Sequence, residues 1–289
     1  MKDLVRYFPA VITAIVWGST FVASKHVLVS GVSPFMLMTF RFVVAYLSLW
    51  LFCRKWLPLA FNRREFLFLL LGVSGGSLYF LLEYFSLKHT SAVNVGLISA
   101  LVPILSTLIA ITLRKVSVTF IYVFGSLLAL FGVYLVVTDG NFVFEVYPLG
   151  DILAFGAALL WAIYTVVLNL IGPDVDPLLV SRRLFFYAII TILPFTCILS
   201  EPSEIQLFAD TSVLLPAFYL AFVASALCIW LWNVSINLIG LVKTNNFLYF
   251  LPVVSLASSA IFFADEVSLA TVVGSACVFV GVVIADRVR

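Results

Sequence analysis

The stretch VFVGVVIA, residues 278–285, is apolar on every face that a helix or a strand could present. A strand of a membrane barrel would alternate apolar residues with polar residues that face the lumen. The run LLLGV, residues 69–73, shows the same lack of alternation. Both runs therefore predict α-helices that are surrounded by apolar material.

The composition extends this interpretation to the whole chain. Hydrophobic residues make up 64% of the 289 residues and charged residues make up 10%, and the mean hydropathy is +1.20. Typical soluble domains carry about 25% charged residues, so the sequence predicts an all-α integral membrane protein that lies in a lipid bilayer. A helix needs about 20 apolar residues to cross the hydrocarbon core. On that length the chain divides into ten predicted transmembrane helices, at residues 9–28, 34–53, 66–87, 91–112, 118–137, 150–170, 178–199, 213–236, 241–262 and 268–286.

Lysine and arginine set the predicted orientation, because the cytoplasmic ends of membrane helices are enriched in both. One set of span ends carries Lys2, Arg6, Arg54, Lys55, Arg63, Arg64, Arg114, Lys115, Arg182, Arg183, Lys243, Arg287 and Arg289. The opposite ends carry only Lys25 and Lys88 as basic residues. We therefore expect both termini to lie on the cytoplasmic side.

The chain carries an internal repeat. A shift of about 149 residues aligns Pro103 with Pro252, Ser106 with Ser255, Gly125 with Gly274, and Gly132 with Gly281. Each half, residues 1–140 and residues 141–289, then holds five predicted spans. Because five is odd, the second half is expected to lie upside down relative to the first, as in the inverted repeats of secondary transporters. Two inverted five-helix repeats predict transport by alternating access.

Several longer motifs follow the same order in the two halves. The first half contains AIVWGSTFVASK (14–25), SLKHTSAVNVGLISALVPIL (86–105) and GSLLALFGVYLV (125–136); the second contains ALLWAIYTVV (158–167), NLIGLVKTNNFLYFLPVV (237–254) and DEVSLATVVGSACVFVGVVI (265–284). In this order they resemble the EamA branch of the drug/metabolite transporter superfamily. The resemblance implies ten helices, alternating access and transport of small metabolites across a bacterial inner membrane. It favours export of amino acids or related solutes, with multidrug or hydrophobic-compound export as the alternative.

The run SLYFLLEYFSLKH, residues 77–89, places the carboxylate of Glu83 inside a predicted span. At 1.5 Å per residue, Glu83 lies about 8 Å from the end of its span, and Arg41 lies about 10 Å from the same end of the preceding span. An unpaired charge at membrane depth costs about 2.5–3.5 kcal/mol, so we predict an ion pair between Glu83 and Arg41. Two interpretations stay open: the pair ties two helices together, or it borders a transport cavity and is broken by the substrate or by a proton.

Aromatic and amide side chains supply further candidates for a substrate cavity, because they combine apolar surface with a polar tip. Trp17 and Trp161 lie mid-span and are aligned by a shift of about 144 residues. The predicted substrate-binding residues are Trp17, Arg41, Tyr79, Glu83, Trp161, Tyr164, Asn245 and Tyr249. Packing within the bundle, lipid contact and helix capping are the alternative roles for the aromatic and amide members of this set.

Pro103 and Pro252 each remove an amide donor from a predicted span. The carbonyl groups of Ser99 and Leu248 thereby lose their usual helical partners. In a transporter such groups line a cavity or mark a hinge, so the two prolines are predicted to act in gating. A static kink is the alternative.

Arg182 and Arg183 lie near the other end of the bundle from Arg41, shortly after Pro177. One of them is expected to face the cavity while the other reaches the interface, or both extend to the interface.

Other classes of protein lack support in the sequence. His26 and His89 lie at span ends, and no HExxH motif occurs, so we expect no enzyme, no catalytic residues, no metal site and no cofactor. The net charge of +2, without a basic patch, excludes a nucleic-acid partner. A channel filter of the TVGYG type is also missing. The expected partners are a small-molecule substrate, the bilayer and protons.

Small residues recur at helical spacing, as in the pair Gly72 and Gly76 and the pair Gly125 and Ala129. Such patterns allow helices to approach closely. They serve packing within the bundle or contact with a second copy, so a monomer or a weak homodimer is expected.

Overall fold

The computed structural model describes residues 5–53, 59–90, 92–113, 119–140, 146–263 and 268–286, with the side chains of residues 21, 22, 25, 92, 93 and 259–263 left aside. In this part of the chain all regular structure is helical. The α-helices are α1 (Phe8–Val29), α2 (Pro34–Phe52), α3 (Arg63–His89), α4 (Ala92–Ser99), α5 (Val102–Thr112), α6 (Phe120–Thr138), α7 (Pro148–Ile171), α8 (Pro177–Leu199), α9 (Thr211–Ile239), α10 (Leu241–Asn246), α11 (Phe250–Phe263) and α12 (Leu269–Ala285). Two 3₁₀-helices, Pro202–Ala209 and Phe247–Tyr249, complete the secondary structure.

Seven helical stretches of the described chain are long and apolar enough to cross a membrane. They are Pro34–Phe52, Arg63–His89, Asn94–Thr112, Phe120–Thr138, Pro148–Ile171, Pro177–Leu199 and Thr211–Ile239. Phe8–Thr20 and Leu269–Ala285 are shorter apolar helices. The predicted span at 241–262 is divided between α10, a 3₁₀ turn and α11. The chain is thus a multi-pass membrane protein.

Much of the charge that predicts the orientation lies outside the described residues. This holds for Lys2, Arg54, Lys55, Arg114, Lys115, Arg287 and Arg289, and for the side chain of Lys25. The orientation of the termini therefore stays a prediction.

The two ends of the bundle are named here by the elements that meet there. At the basic end, α2 finishes, α3 begins at Arg63 and α8 begins at Pro177; Arg182 Nη1 donates to the carbonyl oxygen of Cys53 there. At the far end, α1 finishes, α2 begins at Pro34 and α8 finishes; the amide of Ser33 donates to Glu204 Oε2 at 2.7 Å.

Short local signals start and stop the helices. Ser33 and Asn62 accept bonds from backbone amides in the first turns of α2 and α3, as polar N-caps do. Gly172 and Gly240 follow α7 and α9 with φ of 82° and 85°, a left-handed conformation that glycine adopts without steric cost. These signals keep the connections short.

Two long helices each contain a π-helical turn, Val73–Ser77 in α3 and Tyr219–Leu227 in α9. Two other stretches are interrupted close to a proline. Pro103 stands in the first turn of α5, just after α4 has ended, and Pro252 follows the 3₁₀ turn Phe247–Tyr249 near the start of α11. The expected kinks within continuous helices are therefore breaks between short helices, because proline fits a first turn, where no amide donor is required.

The glycines of α6 and α12 bring these helices into backbone contact. A Cβ on Gly132 would lie 2.5 Å from the carbonyl oxygen of Gly274, and one on Gly125 would lie 2.7 Å from that of Gly281. On α3, a Cβ on Gly72 would lie 2.9 Å from the amide nitrogen of Ala188 in α8. The small-residue patterns thus serve packing within the chain.

Candidate functional site

A cavity of about 430 Å³ lies within the bundle, with walls from α1, α2, α3, α7, α8 and α9 and from the two helix breaks. It is lined by Trp17, Thr20, Ser24, Arg41, Gly75, Tyr79, Phe80, Glu83, Tyr84, Leu87, Ser99, Val102, Ala158, Trp161, Phe185, Ala224, Ser225, Ile229, Leu248 and Leu251. Leu87 belongs to the last turn of α3, and Ser24 lies within the last two turns of α1. The cavity thus extends toward the far end.

Arg41 lines this cavity, and its hydrogen-bond partners among the described residues are all neutral. Its Nη1 donates to Tyr84 Oη at 2.9 Å, and its Nε and Nη2 donate to Ser225 Oγ at 3.2 and 3.1 Å. The ring of Phe80 lies 4.5 Å from Cζ, within cation–π range. The guanidinium is therefore fixed in place while its charge stays uncompensated by a bonded acid.

Glu83 lines the same cavity, yet the predicted ion pair with Arg41 is wrong. Among the described residues the bonded partner of the carboxylate is Tyr79, whose hydroxyl donates to Oε1 at 2.9 Å, and no ion pair joins Glu83 to Arg41. Successive helical residues point about 100° apart. On α3, Tyr84 therefore contacts Arg41, whereas Glu83 bonds Tyr79 one turn earlier on the same helix. Within the described part of the chain, the cavity lining thus holds one cation and one anion, each bonded to neutral side chains.

Aromatic rings in edge-on and tilted contact form one wall of the cavity. The ring of Trp17 lies 5.1 Å from that of Trp161, which lies 4.8 Å from that of Tyr79. Trp232, fully buried, lies 5.0 Å from Trp17. The Trp17 indole donates to the carbonyl oxygen of Ala224 at 2.9 Å. This apolar surface suits a flat hydrophobic group close to the Arg41 and Glu83 charges.

Three predicted site residues lie outside the cavity lining. Tyr164 is buried and donates to Asn233 Oδ1 at 2.7 Å, and the amide group of Asn233 donates to Ser181 Oγ at 2.7 Å. Because Ser181 belongs to the first turns of α8, this chain of bonds runs from behind Trp161 toward the basic end.

Asn245 and Tyr249 belong to the broken stretch around α10. The side-chain amide of Asn245 donates to Ser106 at 2.7 Å and to Thr165 at 3.2 Å, whereas Tyr249 is packed at 0% exposure. Asn245 thus connects helices, and neither residue lines the cavity.

The cavity lining includes residues that were not among the predicted substrate-binding residues, and the prolines of the sequence point to two of them. Ser99 and Leu248, whose carbonyl groups Pro103 and Pro252 were expected to release, both line the cavity. Ser225 was not predicted, because a single serine in an apolar helix usually bonds its own backbone.

Arg182 and Arg183 also lie outside the cavity lining. Both are buried, so neither simply extends to the interface. Arg183 Nη1 lies 3.5 Å from Glu65 Oε1, which also accepts from the Tyr187 hydroxyl at 2.6 Å. At the basic end, an arginine is thus paired with an acid, in contrast to Arg41.

Comparison with known proteins identifies the family of this chain. A family model described as the EamA-like transporter family matches residues 6–138 and, a second time, residues 148–285. The chain belongs to this family. Membership points to a transporter rather than an enzyme, with a small-molecule substrate and a bilayer around the helices.

Individual relatives of this EamA-like chain are also transporters by name. The uncharacterized transporter YyaM of Bacillus subtilis (strain 168) is 28% identical over 297 residues, covering 100% of this chain and 95% of that protein. The aromatic amino acid exporter YddG of Escherichia coli (strain K12) is 31% identical over 199 residues, covering 64% of this chain and 63% of that protein. A solved protein structure that is 20% identical superposes with a TM-score of 0.77 over 97% of this chain and 96% of the other, a shared fold.

Proposed function

We propose that this protein is a secondary transporter that exports amino acids or related solutes from a bacterial cell by alternating access. The observation that carries the proposal is that one cavity holds both Arg41 and Glu83, each bonded only to neutral side chains among the described residues. A zwitterion satisfies both, because a carboxylate accepts two bonds from a guanidinium and an ammonium group pairs with a carboxylate.

The aromatic wall supports a substrate that also carries an apolar ring. Trp17, Tyr79 and Trp161 surround the space beside the two charges, and aromatic groups pack favourably at the ring distances found here. The relative YddG is described as an aromatic amino acid exporter. We therefore take aromatic amino acids as the first substrates to test.

The internal repeat supports alternating access. The two family matches divide the chain near the proposed boundary, residues 1–140 and 141–289. The π-turns in α3 and α9, and the helix breaks at Pro103 and Pro252, recur at about the same offset of 149 residues.

In our proposal the chain has ten spans in two inverted five-helix repeats. It lies in the inner membrane with both termini cytoplasmic, and it acts as a monomer or a weak homodimer. Pro103 and Pro252 lie at the hinges.

Export of hydrophobic compounds is the second candidate. The observation in its favour is the share of the lining that comes from apolar side chains, such as Val102, Phe185 and Leu251. A hydrophobic drug would contact these residues without using Arg41.

Uptake into proteoliposomes separates the two candidates. With purified full-length protein, we expect labelled tryptophan, phenylalanine and tyrosine to be transported, and unlabelled aromatic amino acids to compete. Tryptophanamide, which lacks the carboxylate, is expected to compete at least tenfold less well. Transport of a lipophilic dye that no amino acid inhibits would instead establish the hydrophobic-compound exporter.

Glu83 is proposed to couple export to protons. A carboxylate that binds either an ammonium group or a proton, but not both, exchanges one for the other, and ionisable residues within spans commonly mark such pathways. We expect Glu83→Gln to abolish the response of tryptophan transport to an imposed pH gradient, since a glutamine amide does not bind a proton near neutral pH. The measurement is initial uptake with and without the gradient.

The exposed acid Asp174 supplies a matched control, because Asp174→Asn removes one carboxylate outside the cavity. This variant is expected to keep the gradient response of the wild type. A folded Glu83→Gln protein that transports and keeps the response as well would make Glu83 a structural residue and rule out its coupling role.

A further inference from the structure

Ser225 accepts hydrogen bonds from two of the three guanidinium nitrogens of Arg41. The bonds from Nε and Nη2 are 3.2 and 3.1 Å long. Both residues are buried, Ser225 at 2% and Arg41 at 5% exposure. The contact joins α9 to α2, two helices that are far apart in sequence, so it fixes Arg41 from outside its own helix.

The π-turn of α9 creates this contact. The Ser225 hydroxyl donates its own proton to the carbonyl oxygen of Leu220, five residues earlier, at 2.8 Å. A serine in a regular α-helix donates three or four residues back, and the longer step reflects the π-helical geometry of Tyr219–Leu227. Because one extra residue rotates a helix by about 100°, a regular helix would carry Ser225 away from α2. With its proton used, Ser225 Oγ can only accept from Arg41.

The three bonds of Arg41 leave part of its hydrogen-bonding capacity available. A guanidinium has five N–H groups, and Ser225 and Tyr84 take one each from Nε, Nη2 and Nη1. One N–H on Nη1 and one on Nη2 remain without a partner among the described residues. Two N–H groups on neighbouring nitrogens match the two oxygens of a carboxylate, and the neutral partners leave the positive charge to attract it.

We infer that Ser225 is the positioning residue that holds the Arg41 guanidinium with two N–H groups available to a carboxylate, and so sets the preference for carboxylate-bearing ligands. The inference rests on the proposed function, because it concerns the same cavity. It adds the residue whose hydrogen bonds orient the Arg41 side chain. Ser225 itself contacts Arg41 rather than acting on the substrate's carboxylate.

The test uses two probes that differ only in the carboxylate, indole-3-propionate and indole-3-propionamide. Their Kd values are measured on purified full-length protein by microscale thermophoresis. For the wild type we expect the carboxylate to bind about tenfold more tightly than the amide. Ser225→Ala is expected to reduce this ratio to about threefold or less while the Kd of the amide stays the same. A general loss of structure would weaken the binding of both probes.

Ser74 provides the matched control, because it is a fully buried serine in the other π-turn and donates to the carbonyl oxygen of Leu70. Ser74→Ala is expected to keep the wild-type ratio, and Ser225→Thr, which retains the hydroxyl, is expected to restore it. If Ser225→Ala does not fold, Ser225→Cys gives the same comparison, since a thiol is a weak acceptor of similar size.

Two results would overturn the inference: a wild type without preference for the carboxylate, or a folded Ser225→Ala protein that keeps the full preference. Failure of the proposed function has a different signature. If no amino acid is transported, yet the carboxylate preference is present and Ser225→Ala removes it, the substrate assignment falls and the positioning role stands.

Discussion

Arg41→Gln is expected to raise the KM for tryptophan transport about 100-fold. The substitution removes two charge-assisted hydrogen bonds to the substrate carboxylate, together worth about 3 kcal/mol at the lower end of the range for bonds to charged groups, and each 1.4 kcal/mol is a factor of ten. The loss should be confined to carboxylate-bearing substrates, since the aromatic wall of Trp17 and Trp161 is not altered. The measurement is the concentration dependence of initial uptake in proteoliposomes, with the amount of reconstituted protein matched to the wild type.

Arg41→Lys separates the charge from the geometry. Lysine keeps the positive charge but cannot form the planar fork with a carboxylate, so we expect a KM between those of the wild type and Arg41→Gln, about tenfold above the wild type. A folded Arg41→Gln protein that transports tryptophan with a KM within threefold of the wild type would exclude Arg41 from carboxylate binding.

Gly132→Ala is expected to lower the thermal midpoint of the detergent-solubilised protein by about 6 °C or more. The added Cβ would lie 2.5 Å from the carbonyl oxygen of Gly274 and 2.6 Å from the amide nitrogen of Val278. Neither is the movable end of a side chain, so α6 and α12 must separate. Overpacking of this kind costs about 1–3 kcal/mol, and for large domains each kcal/mol shifts the midpoint by about 2–4 °C.

Gly96→Ala is the matched control, because its Cβ would meet only Val137, at 3.8 Å. Alanine favours a helix over glycine by about 1 kcal/mol, so this variant should match or slightly exceed the wild-type midpoint. Equal midpoints for Gly132→Ala and the wild type would show that the α6–α12 crossing yields more easily than its backbone contacts indicate.

The sequence was sufficient to place Arg41 and Glu83 in one membrane-embedded region, because depth along a helix follows from residue count. It was not sufficient to choose their partners. That choice depends on rotation about the helix axis, and the π-turn Val73–Ser77 precedes Glu83 in α3. A single extra residue changes every later direction by about 100°, and nothing in an apolar run marks where it occurs.

The broken helices also show that side-chain direction could not be predicted from the sequence. Pro103 and Pro252 predicted lost amide donors, and Ser99 and Leu248 do line the cavity. The assignment of Asn245 and Tyr249 to the cavity depended on treating residues 241–262 as one continuous helix. Once that stretch divides after Asn246, these side chains fall between helices, where Asn245 bonds Ser106 and Thr165. Local composition predicts a break better than the direction the chain takes after it.

The tryptophans at and behind the cavity wall give the molecule an intrinsic optical signal. Ring centroids of Trp17, Trp161 and Trp232 lie 5.0 to 6.5 Å apart, and the full chain contains six tryptophans. At such separations the electronic transitions of neighbouring indoles couple, so near-ultraviolet circular dichroism carries a signal from this cluster that isolated tryptophans do not produce. The three rings come from α1, α7 and α9, so any movement of these helices past one another alters that signal without a label being attached.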